Sequence, residues 1–370
     1  MEQIEMIVNR LPAPTWNRLG MNQSGVKVTN AANVCEPKVA LQGNVCLNKS
    51  TGHSGCASCC ASSGCCHVHR DDDLADLPTG MGKDLDKLGD GGALHLVADA
   101  GKSLAAVTLR YDDDKHCYNK IQVEAKPGSQ LTLLMTYIST AVAGGTAAVQ
   151  TKLNVARGAK VKLVQVQLLG RGFDQLNDDG CQLADDAGFE LVQLQLGACR
   201  VFNGARAELQ GESSSFDAAI GYYGRHGQQL DMNFIANHYG KSTTCNMTAD
   251  GVLRDGARKI YRGTIDFKNG SAGAVGDEKE TVLMLTDDVV NQSIPLILCA
   301  EEDVQGNHGA SIGKLDEELL FYLMSRGFSE HEAIDMMAKA KIEALCRKID
   351  DEDTVQLVER YLEGVIADGE

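Results

Sequence analysis

The chain has 370 residues, 43% of them hydrophobic and 23% charged, an ordinary globular composition in a chain long enough for one large domain or two to three smaller ones. Its formal net charge of -16, from 35 basic and 51 acidic residues, disfavours nucleic acid and anionic membrane as main partners, because both are held by basic surfaces. No apolar run approaches the ~20 residues of a membrane span, and the N-terminus MEQIEMIVNR has no apolar signal core, so a cytoplasmic protein is expected, with its 13 cysteines reduced.

Residues 1–85 read as an irregular, partly helical N-terminal segment. A short helix is expected from Glu2 to Arg10, ending before Pro12 and Pro14. Residues 35–70 read as a Cys-rich, disordered insertion, in which 53–70 has almost no large apolar side chain and cannot build a packed core. Within it, Cys56, Cys59, Cys60, Cys65, Cys66, His67 and His69 fall inside 14 residues. Thiolates and imidazoles at C-x-x-C spacing suit zinc, iron or an iron–sulfur centre. The order of the residues matches no named zinc or ferredoxin motif, and a variable loop that takes up soft metals by chance is the alternative. GMGKDLDKL (80–88) reads as a short helix or turn.

Short strand-like runs bounded by Gly, Asn or Asp fill residues 86–305. Two alternate cleanly: Val164, Val166 and Leu168 around Gln165 and Gln167, and Val192, Leu194 and Leu196 around Gln193 and Gln195. Every second residue of such a run can face inward. About a dozen strands with no helical period between them exclude a doubly wound α/β fold, and leave a sandwich, a barrel or a stacked solenoid. Cys299 closes the apolar run IPLILC and is expected in the core. His238 is expected to be a satisfied histidine on a strand.

Residues 306–370 are expected to be helical, with the period changing after Asn307. DEELLFYLMS (316–325) carries an apolar stripe, Gly327 stops it, and Ser329 with Glu332 forms a capping box for the next helix. Asp353 is expected to cap a third helix bearing Val355, Val358 and Leu362. Residues 301–370 hold 18 acids and 7 bases, which reads either as a face for a basic partner or as a solvated surface. GxxxxGK[ST] does not occur, and no catalytic constellation is visible, so the chain is expected not to be an enzyme. The paired acids Asp287-Asp288 and Glu301-Glu302-Asp303 weakly suggest a secreted carbohydrate-active β-helix. The absence of a signal and the nine Tyr, eight Phe and one Trp argue against it.

Three stretches carry a resemblance: RLPAPTWNRLGMN (10–22), LDMNFIANHYGKSTTCNMTADGVLRDGARKIYRGTIDF (230–267) and DVQGNHGASIGKLDEELLFYLMSRGFSEHEA (303–333). On these the chain resembles the SufB/SufD family of iron–sulfur cluster assembly proteins, its SufD branch more than its SufB branch. The resemblance implies a mainly β fold with a right-handed parallel β-helix core and a C-terminal helical domain. It also implies a scaffold subunit of a SufBCD complex, pairing with a SufB-like paralogue and docking a SufC-type ABC ATPase. By that resemblance His308 falls at an interface site for iron or a transient iron–sulfur cluster, with no cofactor held tightly by this chain alone. Leu315, Leu319, Leu320, Phe321, Tyr322, Leu323, Arg326 and Gly327 form the expected ATPase-docking run, although the same leucines could instead cap the β-helix. The chain departs from the family pattern in having Gly306 where a cysteine precedes the histidine, and Glu280 near the SufB cluster-cysteine position. A metal-binding or metal-delivery protein acting through residues 56–69 is the alternative function.

Overall fold

A computed structural model describes residues 3–367, apart from 16, 32, 49–73, 90, 114 and 315. Strands β1 (Gln3–Val8) and β2 (Ser24–Thr29) pair antiparallel. β1 replaces the helix expected over Glu2–Arg10. Its residues alternate, with Met6 and Val8 buried and Glu5 and Ile7 exposed, and pairing to a distant strand outweighs local helix propensity. β3 (Lys38–Asn48) runs antiparallel to the 20-residue β4 (Gly92–Tyr111). A 3-10 helix, Lys83–Leu88, occupies the expected place between them.

The rest of the β structure is a parallel solenoid of about eight turns. In chain order it comprises β5 (Lys115–Ala125), β6 (Ser129–Ser139), β7 (Gly144–Val155), β8 (Lys160–Leu168), β9 (Gly172–Leu183), β10 (Gly188–Gln195), β11 (Arg200–Leu209), β12 (Ser215–Gly224), β13 (Gln229–His238), β14 (Thr244–Leu253), β15 (Arg258–Phe267), β16 (Ala274–Met284), β17 (Val290–Cys299) and β18 (Val304–Lys314). Each strand pairs in register with the strand two places on. The odd and even strands therefore form two walls, and β4 starts both, pairing with β5 through residues 92–98 and with β6 through residues 101–111. β3 covers β4 at one end, whereas β17 and β18 lack a following strand at the other.

Parallel in-register stacking puts like positions of successive turns on one face. The main core fills the lumen, with Leu133, Leu163, Leu191, Phe216, Phe234 and Phe267 among its buried members. In the alternating runs the glutamines face the lumen. Gln165, Gln167, Gln193 and Gln195 are buried there, while Val164, Val166, Val192 and Leu194 form the outer face of the even wall under the C-terminal helices.

Those helices are α1 (Glu317–Ser325), α2 (Glu330–Cys346) and α3 (Glu352–Ala367). Ala338, Ile342 and Leu345 of α2 and Val358 and Leu362 of α3 are buried against the even wall. Arg254 Nη1–Asp335 Oδ1 (2.5 Å), Lys162 Nζ–Asp350 Oδ2 (2.6 Å) and Lys341 Nζ–Asp250 Oδ1 (3.2 Å) flank this contact. Ser329 and Glu332 form the expected capping box. The cap of α3 is Asp351, not Asp353: Asp351 Oδ2 accepts from Thr354 N at 2.8 Å. On the odd wall, the N-terminal segment packs Met6, Val8, Val26, Val28, Met81 and Leu85 onto Tyr118, Ala148, Leu176 and Phe202.

Candidate functional site at the open end of the solenoid

β18 forms one edge of the last turn. It carries His308 and runs to Lys314, so His308 lies within a strand and the helical region starts later than Asn307. The reason is its register with β16: Gly306 opposes Gly276, His308 opposes Glu278 and Ala310 opposes Glu280. Asn307 Nδ2 donates to Asp277 Oδ1 at 2.8 Å on the outer face. Beyond Val304 every described residue of β18 is exposed, His308 included, because no further turn covers it.

Beneath His308 the lumen is ionic. Lys259 and Glu280 form a fully buried ion pair, and Lys259 Nζ also donates to the Gln292 carbonyl at 3.1 Å. Ser293 Oγ donates to Glu280 Oε2, and Tyr222 OH to Glu280 Oε1 at 3.4 Å. Glu278 lies against Gly263 of the opposite wall. Burial, and then the nearby Glu280, push its carboxyl up to about 8. Sequence reasoning missed Lys259 and Glu278, and it noted Glu280 only by position. The available signal was a pair of acids two apart in a strand (Glu278, Glu280), which period two places on one face.

α1 follows directly. Asp316 caps it, accepting from Glu318 N at 3.0 Å and Leu319 N at 3.1 Å. Gly327, at φ 98°, ends it with Gly327 N→Met324 O (3.0 Å) and Phe328 N→Leu323 O (3.4 Å), the paired C-terminal bonds that a left-handed residue permits. No residue of α1 is buried. Phe321 is 73% exposed and Tyr322 52%, Leu319 is exposed, and Leu320 and Leu323 are half-buried. Arg326 lies over the Tyr322 ring, 5.1 Å from its centroid. Leu315 lies outside the described residues, as do Cys56, Cys59, Cys60, Cys65, Cys66, His67 and His69.

Two of the resemblance-bearing stretches meet on the odd wall. Arg262, fully buried, bonds Asp231 Oδ1 (2.6 Å), the Met21 carbonyl (2.7 Å) and Ser24 Oγ (3.0 Å). Leu11 and Met21 pack there with Ile294 and Ile260.

His238 is buried, with Nδ1 2.7 Å from Thr243 Oγ1 and its ring on Phe267. Burial lowers its pKa to about 4, so it is a neutral packing residue. Cys299 is exposed, not in the core, with Sγ 3.0 Å from the Glu301 carbonyl, because β17 is an edge strand. Among the described residues no three His, Cys, Asp or Glu side chains are arranged to hold a metal ion, and no helix is long and apolar enough to cross a membrane.

The family model for the SufBD core domain of the SUF system for iron–sulfur cluster assembly matches residues 108–341. The chain belongs to the SufBD family. It is 28% identical over 231 residues to the iron–sulfur cluster assembly protein SufD of Bacillus subtilis, covering 62% of this chain and 53% of that protein. It is 25% identical over 211 residues to a SufBD family protein of Mycobacterium leprae, covering 56% of this chain and 24% of the relative. A SufBD family protein of Staphylococcus saprophyticus is 26% identical over 215 residues, covering 57% and 46%. The chain thus spans about half or less of the length of these curated relatives. The SufBD core match covers β5 to β18 and most of α2, so it takes in His308, α1 and the ionic lumen end.

Proposed function

We propose that this chain is a SufD-type, non-catalytic scaffold subunit for iron–sulfur cluster assembly. It pairs with a SufB-like paralogue at the open end of the solenoid and binds a SufC-type ATPase through α1. The observation that carries this reading is the geometry of that end within a SufBD core. An unpaired strand edge bearing an accessible histidine runs straight into a capped helix whose large apolar side chains are left in solvent. Strand edges and apolar helix faces are the surfaces that protein partners cover. A neutral imidazole on such an edge is a competent ligand for iron entering a nascent cluster, the cargo of the assembly.

The test is cluster formation by the complex of this chain with its cognate SufB-like and SufC-type partners. His308→Ala lowers the charge-transfer absorbance of assembled cluster while the complex keeps its mass. Unchanged cluster yield removes His308 from the site.

A further inference from the structure

The two walls meet in the middle of the lumen through a closed amide–carboxylate network. Asp179 accepts from Gln165 Nε2 (2.9 Å), Gln193 Nε2 (2.8 Å) and Asn177 Nδ2 (3.3 Å). Asn177 Nδ2 also reaches Gln165 Oε1 (2.9 Å) and Asn203 Oδ1 (3.1 Å), and Asn203 Nδ2 donates to Gln193 Oε1 (2.7 Å). Across the lumen Lys259 of β15 meets Glu280 of β16 while Gly263 of β15 lies against Glu278 of β16, so facing strands of the two walls run in opposite senses, and Gln165 of β8 faces Asn177 of β9. Two residues on along β8 and two back along β9, Gln167 therefore faces Gln175. Gln195 lies directly over Gln167 in register.

This trio differs from the five-residue network around Asp179. Gln167 Oε1 accepts from Gly197 N at 2.7 Å. The remaining polar atoms, Gln167 Nε2 and both amide atoms of Gln175 and Gln195, are buried without a protein hydrogen-bond partner. All three residues are at most 1% exposed. Buried amides are almost always bonded, and leaving one unbonded is costly. Five such atoms at one corner, three donors and two acceptors, are a set that protein groups do not complete.

We infer that this corner of the lumen, between Gln167, Gln175 and Gln195, is an internal binding site for water. A buried water makes about three hydrogen bonds, so on the order of two molecules complete the five atoms. The polar lumen then holds two joined parts. One is cross-linked side chain to side chain around Asp179, and the other is bridged by solvent that exchanges only when the solenoid opens.

The test uses water-oxygen magnetic relaxation dispersion on the full chain, with Gln175→Met and Gln195→Met as length-matched apolar variants. A water-filled corner gives each variant a dispersion amplitude smaller by at least one long-lived water, and a lower Tm, because the remaining waters lose a partner. Unchanged dispersion, or a raised Tm from removing orphaned amides at a dry corner, overturns the site. Should a variant fail to fold, a high-resolution crystal structure of the unmodified chain decides. Ordered water bonded to Gln175 and Gln195 supports the inference, and amides bonded directly to one another refute it.

Discussion

Lys259 of β15 and Glu280 of β16 form an ion pair across the lumen, with their side chains 0% and 2% exposed. Removing one partner of such a pair leaves a buried charge uncompensated, at a cost of about 3–5 kcal/mol, whereas replacing both with apolar side chains of similar volume costs far less. Lys259→Met is therefore expected to lower Tm steeply, and Lys259→Met/Glu280→Met to recover much of the loss. Thermal melts of the two variants check this. Equal losses would show that the pair is not coupled.

The neighbouring Glu278 sets a pH dependence. Its carboxyl rises from an ordinary 4.5 to about 8 in the fold. A raised folded pKa gives stability that is fully present below the unfolded value and lost as pH rises through the folded one. Stability from this group thus declines between roughly pH 5 and 8. Asp178 and Asp179, each pushed up to about 7 chiefly by burial, act in the same direction. His238, lowered to about 4, acts oppositely, and its contribution is lost as pH falls from 6.5 toward 4. Glu278→Gln should flatten the fall of Tm on the alkaline side. Parallel pH profiles for variant and parent would count against a neutral Glu278.

Gly80 is what lets the N-terminal segment dock on the odd wall. A Cβ built on it would lie 2.1 Å from Ala205 N and 2.4 Å from the Gly204 carbonyl carbon. Asn233 Nδ2 donates to the Gly80 carbonyl at 2.8 Å, and Met81 N to Asp178 at 2.8 Å. Gly80→Ala is expected to cost about 1–3 kcal/mol through overpacking. It should also speed proteolysis around residues 74–89, read by mass spectrometry of the fragments. A fully protected segment would show that the backbone contact is not needed.

α1 should separate binding from stability. Phe321 and Tyr322 are exposed, so Phe321→Ala/Tyr322→Ala should leave Tm nearly unchanged. Aromatic anchors at interfaces are worth about 2 kcal/mol or more, which corresponds to a loss of tenfold or more in ATPase affinity. Isothermal titration with the purified SufC-type partner measures it. Full affinity in the double variant would move the docking surface elsewhere.

Much of the fold was legible because strand period is a local signal. The runs around Val164–Leu168 and Val192–Leu196 are strands with both faces buried. Which face turned inward was not legible, since Gln165 and Gln193 enter the lumen only because Asp179 and Asn203 meet them from strands far along the chain. The same dependence on distant partners hid strand β1, whose Met6 and Val8 need Val26 and Val28. Cys299 and His308 were misplaced for a related reason: an apolar or Gly-rich run does not show that it forms the last, uncovered turn. At the site, the stretch 303–333 pointed to His308 and α1, and the caps at Ser329 and Gly327 could be read from local sequence. Lys259 and Glu278 could not, because their meaning arises across the lumen.

The most direct measurement is the mass of what co-purifies with this chain when it is co-expressed with its cognate SufB-like paralogue and SufC-type ATPase. A stable assembly containing all three, lost on Phe321→Ala/Tyr322→Ala for the ATPase alone, is the predicted result. Recovery of this chain without either partner would contradict a scaffold built at the open end of the solenoid.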